Sequence, residues 1–224
     1  MRNTSLISIT GIFMLLFYLV PQSYGQYFGQ NKVNYERFNF EIYETPHFEI
    51  YNYLDQNQAV QNLGQQSEQW YQRHFSIFRD TVLNNPLILY NNHADFQQTT
   101  VIGGQIGVGR GGVTEGLRKS VVMPIMVSNR ETDHVLGHEM VHVFQYNMVK
   151  INDSLGLESL QNIPLWMIEG MAEYLSIGPE DNKTAMWMRD AVIHDDIPTI
   201  EDMTRRPNQY FPYRYGHAFW SFVT

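Results

Sequence analysis

The segment Gly137-His138-Glu139-Met140-Val141-His142 sets two imidazoles four residues apart, with a carboxylate beside the first. On a helix, side chains four apart lie one above the other, so both rings point the same way and can grip one ion. Neutral imidazole is a ligand for Zn²⁺, and a glutamate next to the first ligand is placed to take a proton from a hydrolytic water. With 8 histidines in 224 residues, this H-E-x-x-H pentapeptide alone is within reach of chance. The competing reading is a pair of ordinary helix-face histidines.

A zinc centre of this kind needs a third protein ligand and an open position. The chain has no cysteine, which excludes a thiolate ligand, a disulfide and attachment of lipid through a thiol. The third ligand must therefore be His, Asp or Glu. Glu169 stands in a second helical stretch that opens at Pro164, and an antiparallel pairing of the two helices brings it to the histidines. Glu173 follows four residues later on the same face, where it can accept the free ring N–H of a ligating histidine and fix its tautomer. The surrounding Trp166, Met167, Ile168, Met171, Ala172 and Leu175 argue against a solvated acidic face. His134 precedes His138 by one turn but has no glutamate beside it, and is expected in the cleft or on the surface. His47, His74, His93 and His194 lack partner spacing and are expected to be structural.

The elements that must position these residues follow from periodicity. Phe38 to Tyr43 and His47 to Tyr53 alternate as a hairpin about Glu44-Thr45-Pro46. Asp55 is the expected N-cap of a helix to about Phe78, with Ala59, Leu63, Trp70 and Phe78 on one face. Pro86 to Tyr90 reads as a buried strand. Gly103 to Gly112 formally contains G-x-G-x-x-G, but turn and strand follow where a nucleotide fold needs a helix, so a flexible loop leading to an edge strand is expected. Helices are then expected over Glu131–Met148 and Leu165–Leu175, with Pro164 as first helical residue, and over Asp181–His194. Thr199 caps a short turn, and a last helix runs from Tyr213. The fold class is α+β.

Leu6 to Val20 is an apolar run behind Arg2, too short and interrupted for a comfortable span. Residues 1–25 are expected to be a secretory signal peptide, the alternative being an uncleaved N-terminal anchor, so that residues 26–224 form one exported domain with no stable membrane span. The last helix reaches Thr224 without a cap, and a longer protein is expected. A composition of 15 Lys and Arg against 23 Asp and Glu, net charge −8, excludes a polyanionic partner such as nucleic acid.

The stretches HEMVHVFQ and LPLWMIEGMAEYLS, with the motifs H-E-x-x-H and W-x-x-E-G-x-A-E-Y, resemble the gluzincin branch of zinc metallopeptidases, especially peptidase MA-like domains. Tyr27 to Val33 and His47 to Tyr51 extend the likeness to secreted bacterial proteins in which such a domain precedes a TolB-like β-propeller. The resemblance implies a zincin-like fold, with a mixed twisted sheet, an HExxH helix and a second helix carrying the glutamate ligand. It implies a secreted or periplasmic, zinc-dependent enzyme acting on peptide or protein substrates, with a β-propeller following in the full protein. His138, His142 and Glu169 would be zinc ligands, Glu139 the general base and Glu173 the supporting carboxylate. It also implies a phenol or imidazole for the oxyanion, taken as Tyr215 ahead of Tyr213 and His217 because Tyr-Gly-His-Ala-Phe-Trp matches the family's final helix. Glu115 after Gly111-Gly112 departs from the amine-binding motif of gluzincin aminopeptidases, so an endopeptidase is favoured. A non-catalytic binding module on the same fold is the alternative reading.

Overall fold

A computed structural model describes residues 36–116, 118–149 and 162–224; the expected signal peptide and the Tyr27 to Val33 likeness lie outside the described residues. Among the described residues are five strands in one mixed sheet and seven helices. Strands β1 (Glu41–Glu44) and β2 (Phe48–Asn52) form the expected antiparallel hairpin. Next to β2 runs β3 (Asn85–Tyr90), parallel to it, and then β5 (Val121–Pro124), parallel to β3. The two-residue β4 (Val113–Thr114) pairs antiparallel with β5 at the far edge.

Residues 86–90 of β3 and all of β5 are apolar because both faces are covered. Leu87, Leu89, Val121 and Met123 point to one face, with Phe48 and Ile50, and meet Leu63, Trp70 and Tyr71 of α1 (Asn57–Phe78) and Leu136, Met140, Val143 and Phe144 of α3 (Asn129–Met148). Val122, Ile88 and Tyr90 point the other way into Phe38, Phe40, Tyr53 and Ile106, beside α2 (His93–Phe96). Helix α1 starts one residue later than expected, with Gln56 rather than Asp55 at its N-cap, and it buries Val60, Ser67, Tyr71 and His74 in addition to Leu63 and Trp70.

The C-terminal part is helical: α4 (Leu165–Ile177), α5 (Asn182–Ile193), α6 (Ile200–Arg205) and α7 (Pro212–Val223). Pro164 is the N-cap of α4 rather than its first residue, its extended ψ of 139° ending the incoming chain. Thr199 caps α6 as expected, in a reciprocal box with Asp202. Trp166, Ala191, Met203, Tyr210 and Tyr215 form a second core here. Where α4 crosses α7, Gly170 and Gly216 face each other so closely that a Cβ on Gly170 would stand 2.3 Å from the Gly216 carbonyl carbon. No helix among the described residues is long and apolar enough to cross a membrane.

Candidate functional site

Helix α3 is buried on nearly every side, which is why its sequence lacks a simple amphipathic stripe. Ser128 starts it by accepting the Glu131 backbone N–H at 3.2 Å. Leu136, Met140, Val143 and Phe144 face the sheet. Gly137 touches α1, where a Cβ would stand 2.7 Å from the Trp70 ring, and its carbonyl lies 3.1 Å from His74 Nε2. Val135 and Glu139 face Gly111 and Gly112 ahead of β4. His138, His142 and Gln145 are left on the face turned to α4.

On that face His138 Nε2, His142 Nε2 and Glu169 Oε2 lie 3.2 Å from one another on every side of the triangle. Ligands about 2.0–2.1 Å from a tetrahedral zinc stand roughly 3.3–3.4 Å apart, so the three donor atoms need to move by about 0.2 Å or less to hold one. Charge points the same way. Burial alone would push His138 down, but the Glu169, Glu173 and Glu139 carboxylates outweigh it and raise its pKa to about 10. His142 is raised against burial by Glu169. Burial likewise opposes ionisation of Glu169, yet the two imidazoles hold it well below the ordinary carboxylate range. Protons balance the carboxylates here, and a bound dication would displace them. The donor set therefore fits a divalent metal that takes imidazole and carboxylate ligands.

A polar side chain stands behind each of the two histidines. Glu173 Oε1 lies 3.1 Å from His138 Nδ1, a close approach off the N–H axis, and 3.2 Å from His134 Nε2. Its other oxygen accepts Arg214 Nη1 at 3.0 Å, and the same nitrogen reaches Asp181 at 3.1 Å. His134, His138 and Glu173 also form a three-donor cluster. The guanidinium on Glu173 already supplies its positive charge, and His138 offers that cluster only the ring nitrogen facing away from Glu169. His142 Nδ1 is 2.8 Å from Gln145 Oε1.

Glu139 sits beside the triangle but is not part of it. Thr114, on the edge strand, donates its hydroxyl toward Glu139 Oε2 at 2.8 Å and toward the Glu139 carbonyl at 2.9 Å. A Cβ at Gly112 would come within 2.9 Å of Glu139 Oε1, so glycine is what lets the carboxylate lie against this strand. The glycine-rich loop is anchored rather than free at its base: Gln97 Nε2 donates to the Ile106 carbonyl at 2.7 Å, and His93 Nε2 lies 3.1 Å from the Arg110 carbonyl.

The structure separates the three residues considered for the oxyanion. Tyr213 stacks on the His138 ring, centroids 5.7 Å apart and planes at 17°, and its phenol interacts with Glu169. Burial, with Glu169 and Glu139 nearby, pushes it far above an ordinary tyrosine. Tyr215 is not at the site, contrary to the sequence expectation: it is buried with Trp166, Tyr210 and Trp187 in the second core. His217 is buried with Nε2 2.8 Å from the Gly178 carbonyl. The remaining histidines sit elsewhere, His47 against Glu68 and His194 against Asp190. Sequence reasoning missed Gln145, Thr114, Arg214 and the supporting role of His134. Only Gln145 carried a local signal, a polar residue one turn beyond His142 on the same face.

Residues 117–197 match the family model described as peptidase of plants and bacteria. This span takes in β5, α3, α4 and α5, hence both helices of the triangle, and marks a peptidase-like domain; β4 and α7 lie outside it. No curated protein and no solved structure matches the chain.

Proposed function

We propose that the protein is a zinc-dependent peptidase of zincin-like fold and gluzincin type, with His138, His142 and Glu169 holding the metal and Glu139 acting as general base. The observation that carries the reading is the 3.2 Å triangle of donor atoms with a carboxylate braced beside it. Zinc bound there supplies a Lewis acid that acidifies water to a pKa of about 7 and polarises a carbonyl. Thr114 holds Oε2 of Glu139 and leaves Oε1 to accept the proton of the attacking water and to return it to the leaving amine. Tyr213, kept protonated by its raised pKa, donates to the oxygen on which negative charge develops, a role worth roughly 10²–10³ in rate for one such donor. Its stacking on His138 holds the phenol beside the triangle.

An extended substrate lies along the edge strand β4, adding a strand to the sheet. Glu115 is engaged in the β4–β5 turn, 3.0 Å from Ser120 Oγ, which favours an endopeptidase over an aminopeptidase. Export to the cell envelope rests on residues 1–25, and an accompanying β-propeller rests on the sequence likeness alone.

The test is cleavage of a diverse library of N-terminally acetylated peptides by the zinc-loaded chain. Cleavage that falls by about 10²–10⁴ in Glu139→Gln, with zinc retained, is expected. Cleavage undiminished in that variant overturns the general-base assignment, and bound zinc with no cleavage favours the binding module.

A further inference from the structure

Gln145 is buried on α3 one turn beyond His142, and every polar atom of its amide is engaged. Oε1 lies 2.8 Å from His142 Nδ1, while Nε2 donates to the Ile168 carbonyl at 3.2 Å and to Met171 Sδ at 3.5 Å. A backbone carbonyl only accepts, so the amide nitrogen must face Ile168 and the amide oxygen must face the imidazole. An oxygen there requires Nδ1 to carry the hydrogen, and the lone pair of His142 is then on Nε2, the atom 3.2 Å from both His138 Nε2 and Glu169 Oε2. The other end of the same amide grips α4 at Ile168 and Met171, on either side of Glu169.

We infer that Gln145 is a positioning residue of the metal centre: it fixes the tautomer of His142 and, through the same side chain, the register of the helix that carries Glu169. The inference rests on the metal reading and deepens it. Glu173 and Gln145 divide the task. Glu173 stands behind His138 and is braced by Arg214 from α7, whereas Gln145 stands behind His142 and is braced by the backbone of α4. A carboxylate at position 145 would set an unpaired oxygen against the Ile168 carbonyl, which is why a neutral amide suits this place. Partners of this kind typically change metal affinity by about 10–100-fold when removed.

The experiment compares the full chain with Gln145→Met, which fills similar space without donor or acceptor. Zinc affinity is read by competition with a chromophoric chelator, and the imidazole N–H protons of the zinc-loaded proteins are read by NMR. Affinity is expected to fall by about 10–100-fold. In the unmodified chain the His142 Nδ1–H proton is expected downfield and slow to exchange; in Gln145→Met it exchanges rapidly, while the His138 Nδ1–H proton is unchanged. Equal affinity in the two proteins, or His142 bound through Nδ1 in the unmodified chain, overturns the inference and leaves the metal reading standing. Failure of the unmodified chain to bind zinc removes both.

Discussion

Gly170→Ala sets two magnitudes against each other. Alanine is better than glycine inside a helix by about 1 kcal/mol, so on propensity alone the substitution stabilises α4. The structure gives the opposite sign. A Cβ at position 170 would lie 2.3 Å from the Gly216 carbonyl carbon and 2.4 Å from its Cα, where carbon atoms ordinarily approach to about 3.5–4.0 Å. These are backbone atoms of a helix, which cannot turn aside as a side chain would, so α4 and α7 must part by about 1 Å. Overpacking of this kind costs about 1–3 kcal/mol or more, and the methyl contact extends along a crossing that also carries Arg214 and Tyr213. Backbone contacts this short put the cost at the upper end, about 3 kcal/mol; less the propensity gain of about 1 kcal/mol, the net loss is about 2 kcal/mol, read as a fall in Tm of about 5 °C for a chain of this size. Glu169 is the adjacent residue, and a displacement of about 1 Å exceeds the roughly 0.2 Å that ligand distances tolerate, so zinc affinity falls together with Tm. Thermal unfolding with and without zinc, alongside chelator competition, measures both. A Tm equal to or above that of the unmodified chain, with unchanged zinc affinity, refutes the close-crossing argument.

Other substitutions separate the remaining parts of the account. Thr114→Val removes a hydrogen bond to a charged group worth about 1.5–3 kcal/mol; kcat on a cleaved peptide is expected to fall at least tenfold with zinc content unchanged, and Thr114→Ser should restore it. Arg214→Met strips the buried Glu173 carboxylate of its guanidinium and is expected to destabilise the fold by about 3–5 kcal/mol in urea unfolding; a loss under 1 kcal/mol contradicts the buried network. His74 is buried, and desolvation lowers its pKa from 6.5 to about 4. Because the folded value lies below the unfolded one, its contribution is complete above about pH 6.5 and is lost as pH falls toward 4, up to about 3 kcal/mol at 1.36 kcal/mol per pH unit. The difference in stability between the unmodified chain and His74→Gln should therefore narrow as pH falls from 7 to 4, and a flat difference contradicts this. Ser128→Ala should cost about 1 kcal/mol by uncapping α3.

What the sequence made legible is what local spacing encodes. The hairpin, the apolar β3 and β5 strands and the Thr199 cap of α6 each carry their signal within a few residues, whereas the starts of α1 and α4 each fall one residue later than expected. The i, i+4 rule put His138 over His142, and again Glu169 over Glu173, with no knowledge of the tertiary fold. What stayed hidden depends on which surfaces meet. Thr114 reaches Glu139 only because β4 pairs at the edge of the sheet beside α3, and Gly112 matters only because that carboxylate lies against it. Tyr213 and Tyr215 sit two residues apart on α7, about 200° around the helix axis. Both are aromatic in an aromatic stretch, so periodicity alone does not say which one faces α3. The Gly170–Gly216 contact sets that rotation, turning Tyr213 onto His138 and Tyr215 into the core with Trp187 and Tyr210. Arg214, between them, pairs with Glu173 and Asp181.

The central claim is that three side chains from two helices form one metal-binding centre. Elemental analysis of the purified, dialysed chain tests it most directly, beside His138→Ala, Glu169→Gln and Glu139→Gln. About one zinc per chain is expected in the unmodified protein and in Glu139→Gln, and its loss in the other two. Absence of stoichiometric metal from the unmodified chain after zinc loading, or zinc retained in full by both ligand variants, contradicts it.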